Sequence, residues 1–340
     1  MVVQNILTLR AGTSPATRIT RGTLLAALCL SLTTQADAQS APASDSVIQD
    51  MQQAFRRGDS ARLSALLPQA RGHALEPWAA YWELKARLET ASDDEVRSFE
   101  KRWAGSYQED RLRNDWLLLA GKRRDFVTFT QHHPAFRMQD DRNVTCYALA
   151  IDQSVRGANT ANELRKEWWA KQASGDDACD LAAGLAYMAK VLQATDLWGK
   201  ARLAIDAGQP AAARAALELL DPSLSAQVAQ LNGNPARYLN GDAGGPHASE
   251  LSALAVIKIA GTDADQAAVA MSTQGAAMQP ATRDWVWATI ARRAALNLKD
   301  TASLYGKNVR SSAALPPELQ EWLVRTALRA QDWQLVRTRI

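Results

Sequence analysis

The chain has 340 residues, rich in Ala and Leu, with only 6% aromatic residues and 39 basic against 36 acidic side chains, a formal charge of +3. That length holds two ordinary domains or one extended repeat array, and the composition leans toward helix. So balanced a charge excludes nucleic acid as an expected partner, since such proteins usually carry a clear basic surplus.

Residues 1–38 read as a secretory signal. Arg10, Arg18 and Arg21 give a cationic start, residues 24–32 an apolar run, and Ala36-Asp37-Ala38 a cleavage site of the A-x-A kind. The apolar run is far shorter than the roughly 20 residues that cross a bilayer, and no later stretch approaches that length, so no membrane span is expected. Cys29 lies inside the run, but Leu28 stands where a lipidation signal has a small residue; cleavage after Ala38 is the preferred reading. Processing there leaves 36 basic and 35 acidic residues, after loss of three Arg and Asp37.

Residues 39–46, rich in Ser and Ala, read as a flexible leader. From residue 47 onward one theme recurs: helix, tight turn, helix. Arg56-Arg57-Gly58-Asp59-Ser60-Ala61, Gly121-Lys122-Arg123-Arg124-Asp125-Phe126 and Asp206-Ala207-Gly208-Gln209-Pro210-Ala211 each stop one helix and cap the next. Ala260-Gly261-Thr262-Asp263-Ala264-Asp265, Leu298-Lys299-Asp300-Thr301-Ala302 and Arg329-Ala330-Gln331-Asp332-Trp333 continue the series. The flanks carry apolar residues at a 3.6 period: Leu112, Trp116, Leu119 and Ala120; Trp287, Ile290, Ala291 and Ala294; Leu319, Trp322, Leu323 and Ala330.

A lone helical hairpin with one apolar stripe cannot close a core, whereas stacked hairpins can, which predicts an all-α superhelical solenoid, ring- or horseshoe-shaped, over residues 47–340. The corners are unevenly spaced, so the repeat is degenerate. The Gly- and Pro-rich stretch 232–247 is the expected loop or hinge. The eleven Trp read chiefly as core fillers between Ala-lined helix faces.

Chemistry-bearing patterns are sparse. The adjacent pair His132-His133 would project about 100° apart on a helix, too divergent for one ion, and reads as an exposed helix end. No phosphate-binding, dinucleotide or nucleophile motif occurs. The acidic groups Asp93-Asp94-Glu95, Asp140-Asp141 and Asp176-Asp177-Asp180 fall at expected helix starts, where capping is the default role. A glycosidase would instead need two carboxyls facing across a groove. Lys122-Arg123-Arg124 and Arg292-Arg293 read first as solvated helix ends, and second as contacts for an anionic polymer. Cys146 and Cys179 remain after processing; in an exported chain an even count invites a disulfide, the alternative being two buried thiols.

Several segments together resemble the superhelical N-terminal region of the soluble lytic murein transglycosylases, periplasmic enzymes with a ring-shaped helical body. They are Arg111-Leu112-Arg113-Asn114-Asp115-Trp116-Leu117 with the corner at Arg124-Asp125-Phe126 and then His133-Pro134, Thr145-Cys146-Tyr147-Ala148-Leu149, Asp177-Ala178-Cys179-Asp180, and the run from Glu321-Trp322-Leu323 through Asp332-Trp333. The resemblance implies a bridge between Cys146 and Cys179, a periplasmic location and a role on the glycan strands of peptidoglycan. In the family a lysozyme-like domain follows, whose Glu acts as acid and then base, the sugar's own 6-hydroxyl attacking to leave a 1,6-anhydro product. Neither of that domain's motifs occurs here, so no catalytic residue can be assigned, no cofactor or metal is implied, and the chain's expected partners are peptidoglycan and a separate catalytic domain. The competing reading is a non-catalytic periplasmic scaffold of tetratricopeptide type that binds a protein.

Overall fold

The structure, a computed structural model, describes residues 44–340 except residues 157, 173, 174, 242 and 243 and the side chains of residues 153–159. The expected signal sequence, its Cys29 and most of the leader lie outside the described residues.

The described chain opens with α1 (Asp45–Arg57), α2 (Ser60–Leu66), α3 (Glu76–Ala86) and α4 (Asp93–Arg102). It continues through α5 (Tyr107–Arg123), α6 (Phe126–His132), α7 (Arg142–Arg156), α8 (Ala158–Ala170) and α9 (Asp177–Met188). Next come α10 (Ala194–Asp206), α11 (Pro210–Glu218), α12 (Leu224–Gly233) and α13 (Pro235–Leu239). The remainder is α14 (Ala248–Ala260), α15 (Ala264–Gln274), α16 (Pro280–Leu296), α17 (Thr301–Gly306), α18 (Pro317–Arg329) and α19 (Trp333–Arg339). Among the described residues there is no β-strand, and the fold is an all-α solenoid.

All six corners read from the sequence are helix–helix corners, joining α1 to α2, α5 to α6, α10 to α11, α14 to α15, α16 to α17 and α18 to α19. Their chemistry is local. Asp59, Asp125, Asp263 and Asp332 each accept a hydrogen bond from a backbone N–H two or three residues ahead, at 2.9–3.1 Å. The left-handed residue that ends the first helix is Gly58 or Gly208 at two corners, but Arg124, Leu298 and Gln331 hold that conformation elsewhere. Within the stretch expected to interrupt helix, Pro235 starts the short α13, capped by Asn234, and Tyr238 and Leu239 pack on the core.

The long helices stack in sequence, α1 on α3, α3 on α5, α5 on α7, then through α8 to α10, α14, α16 and α18. One apolar cluster spans residues 48–116 and a larger one residues 117–323, and α5 contributes to each. The single apolar stripe expected of each helix is too narrow for these inner helices. In α5 the polar Glu109, Asp110, Arg113, Asn114 and Asp115 are buried beside Leu112 and Trp116, and α10 and α16 likewise bury charged groups. The middle turns of a helix with neighbours before and behind have little solvated face, so their polar residues must find partners inside. Ala330 departs from its expected stripe in the other direction and is exposed.

Two such partnerships repeat. The Asp110 carboxylate near the start of α5 accepts from the Arg137 and Met138 N–H groups at 2.7–3.1 Å. The Asp284 carboxylate near the start of α16 accepts from the Arg310 and Ser311 N–H groups at 2.9 and 3.0 Å. Each clasps the loop that follows the short partner helix, so a long helix, a corner, a short helix and a clasped return make one unit.

Tyr147 of α7 lies so close to Gly121 of α5 that a Cβ there would overlap its ring, whereas Gly233 at the end of α12 has open space around it. Gly121→Ala is therefore expected to lower stability by about 1–3 kcal/mol through overpacking. Gly233→Ala should raise it by roughly 0.4–1 kcal/mol by restricting the unfolded chain. Urea unfolding of the two variants gives shifts of opposite sign if the packing is as described.

Candidate functional site

A cleft of about 930 Å³ opens between α8, α10, α16 and residues 313–318, the turn into α18. Helices α8, α10 and α16 share its chemistry, and α10 runs through the middle of it. Asp196, in the first turn, accepts from Arg165 Nε at 2.8 Å. One turn on, Gly199 has no side chain, and the Trp169 ring occupies the space a Cβ would need. Arg202 follows, then Asp206 at the helix end.

Two tryptophans form the apolar wall. Trp169, half-buried, and Trp285, buried, meet edge to face with ring centres 5.7 Å apart. Each has a guanidinium against it: Arg165 lies 5.8 Å from the Trp169 ring centre and Arg202 5.1 Å from that of Trp285. Trp169 Nε1 donates to the Asp196 carbonyl at 3.3 Å.

Across the cleft, Asp206 accepts from Arg292 and, at 2.8 Å, from Arg293 Nε. Arg292 also reaches Glu318 at 3.3 Å, a carboxylate that is 63% exposed. Arg202 donates to Glu250 and, at 3.0 Å, to Thr282 Oγ1, which itself donates to Glu250 at 2.8 Å. Despite these pairs, the buried Nε groups of Arg202 and Arg292 have no acceptor and Gln172 Oε1 has no donor.

These positions correct part of the sequence reading. Arg292-Arg293 is not a solvated helix end; α16 is covered on that side and the pair turns inward onto Asp206. Nor is His132 exposed: it is 3% accessible and held between Asp93 at 2.7 Å and Glu100 at 3.1 Å. Asp176 precedes α9 but its carboxylate binds Arg142 by two bonds of 2.6 Å instead of capping the helix. Lys122, Arg123 and Arg124 are exposed, as a solvated helix end should be. Ser92 and Glu95 form a capping box, and Asp141 accepts from the N–H of Asn143 at 2.9 Å, the expected roles of those acidic groups.

Cys146 on α7 and Cys179 on α9 are joined by a disulfide, both fully buried, with Cα atoms 4.9 Å apart. They belong to the core, away from the cleft. Between α8 and α9, burial pushes the Asp180 carboxyl up while Trp168 Nε1 donates to it at 2.8 Å. Burial likewise pushes the Lys200 ammonium down to about 8, against the pull of Asp180 and Asp176. Asp176 and Asp180 are thus each engaged by a neighbouring helix, Asp176 by Arg142 and Asp180 by Trp168.

No family model matches this sequence, and no curated protein matches it. Solved structures do. The lytic transglycosylase Slt of Pseudomonas aeruginosa, solved as an inactive mutant, is 23% identical with a TM-score of 0.55, over 86% of this chain and 48% of that one. A 70-kDa soluble lytic transglycosylase in complex with bulgecin A is 17% identical with a TM-score of 0.50, over 87% of this chain and 49% of that one. The chain thus spans about half the length of the structures it matches, and what it shares with them is the helical fold.

Two outcomes follow from the buried groups. Closing a loop of 33 residues by the disulfide should contribute about 3–4 kcal/mol in the chain-entropy account, so the Cys146→Ser/Cys179→Ser double variant should unfold at correspondingly lower urea. For His132, burial opposes the charged form, but the hydrogen bonds and charges of Glu100 and Asp93 outweigh it and the pKa is raised. A raised folded value means the stabilisation is complete below about 6.5 and is lost as pH climbs through the folded value. His132→Gln should therefore lose more stability at pH 6 than at pH 9; an equal loss at the two pH values would show that the imidazolium contributes nothing.

Proposed function

We propose that this chain is the superhelical part of a periplasmic lytic transglycosylase, exported by its first 38 residues and acting in peptidoglycan turnover. The observation that carries the reading is the shared fold over 86% of the chain with the Pseudomonas enzyme. The ordered segments around Trp116, Cys146, Cys179 and Trp322 support it. The described residues contribute support and substrate handling: a stacked helical body, rigid at its corners, with a cleft whose cations suit a glycan that carries acidic groups. In this reading, bond cleavage and the 1,6-anhydro product are the work of a separate catalytic domain that the helical body supports. As in any such enzyme, a single Glu on that domain would shuttle the proton, and no cofactor takes part.

Two measurements test this. An antibody to the helical body, used on a periplasmic extract, should detect a species about twice the size of this chain, since the chain spans 48% of its structural neighbour. The purified chain should sediment with peptidoglycan sacculi and release no 1,6-anhydromuramyl product. Failure to sediment, with a native species of this chain's own size, would favour the protein-binding scaffold.

A further inference from the structure

The cleft between α8, α10 and α16 holds more cationic capacity than its helix packing uses. A seam between Ala-rich helices can close on apolar contact alone, yet here four guanidinium groups converge. Arg165 is held by Asp196 and Arg202 by Glu250, but two of the four keep an unpaired donor: Asp206 is shared between Arg292 and Arg293, and the buried Nε groups of Arg292 and Arg202 have no acceptor. Arg202 is 5% exposed, so that orphan donor lies within the protein and not on a solvated rim. One carboxylate can take a bidentate fork from one guanidinium; a second fork is left over.

From this geometry we infer that the cleft binds the carboxylate of a peptide-substituted amino sugar, with Arg292 as the anchor and Glu318 as the internal group that the ligand displaces. Glu318 is suited to displacement: it is mostly exposed and meets Arg292 only at 3.3 Å, an arrangement that contributes little. A ligand carboxylate entering there would take over the contact and add a second bond. The body of the ligand would lie against Trp169, Pro316 and Ala313. Because Arg165 and Arg202 already lie against the two indole rings, the wall offers ring edges more than open faces. That arrangement suits acetamido and alanyl methyl groups better than a stacked pyranose. About 930 Å³ is ample for a muramyl dipeptide. The amino-sugar part of this assignment rests on the peptidoglycan reading above, whereas the carboxylate part rests on the cleft itself.

The test is calorimetric titration of the full chain with three probes: N-acetylmuramyl-L-alanyl-D-isoglutamine, the same compound with its carboxylate converted to a carboxamide, and neutral chitotriose. The acid should bind at least tenfold more tightly than either neutral probe. Arg292→Gln should weaken binding of the acid by tenfold or more. Glu318→Gln should strengthen it severalfold, and because Glu318 is exposed, that variant keeps the fold even if removal of Arg292 disturbs Asp206. Equal affinity for acid and amide, unchanged or weaker binding by Glu318→Gln, or no binding of the acid would each overturn the assignment. Sacculus sedimentation of the same samples separates the two readings: sedimentation without acid selectivity removes the cleft site alone, while selectivity without sedimentation removes the peptidoglycan role and leaves an anion site.

Discussion

The inner helices of a solenoid have neighbours on both sides, and this burial constrains everything else in the molecule. A charged residue in the buried middle turns of such a helix has little water to solvate it, so it is tolerated only with partners on its own or neighbouring helices. On α5, Arg113 lies among Glu100, Glu109 and Asp110 and also donates to the Ala135 carbonyl at 3.1 Å. Glu100 in turn holds His132, and Asp110 holds the loop at Arg137 and Met138. Three helices and a loop are thereby tied to one guanidinium. Such networks are weak sources of net stability compared with apolar packing, but breaking one strands a buried charge, so they penalise any slip of one hairpin along the next.

Register also explains the two carboxylate clasps. Residues 137–138 and 310–311 are non-helical backbone whose N–H groups would go unpaired if the return loops only rested on the stack. Asp110 and Asp284, each anchored on a 17-residue helix, collect them. The short helices can then be as brief as the seven residues of α6 or the six of α17, lengths marginal in isolation, because corner and clasp hold them at either end.

What was legible in the sequence was whatever is decided within a few residues. Four of the six corners rest on capping contacts two or three positions long, and all six can be read from Asp, Gly or Pro beside a helical period. The cysteine pair was legible through composition and compartment, and the fold class through the repetition of the corners. What escaped was decided by partners far away in the chain. Arg292 and Arg293 look like a solvated helix end until Asp206, 86 and 87 residues earlier, is placed beneath them. His132 looks exposed until Asp93 and Glu100 close over it. The cleft left only indirect signals, the doubled Trp168-Trp169 and a Gly in the middle of α10, and neither says which helix will face it.

That α10 glycine and the residue after it show how the core shapes the cleft. Lys200 is 1% exposed, and burial depresses its pKa, so at neutral pH keeping it charged costs stability that is regained only as pH rises past about 8. Its ammonium donates to the Trp168 carbonyl at 2.6 Å and to that of Lys171, closing the last turn of α8, where backbone acceptors would otherwise be unpaired. The adjacent Gly199 receives the Trp169 ring. One pair of neighbouring residues on α10 therefore locks the end of α8 and seats the indole that begins the cleft wall. A hydrophobic residue at position 200 would remove the desolvation cost but release those carbonyls, and with them the position of Trp169 against Trp285. The electrostatic cost inside the stack is what holds the surface beside it in shape.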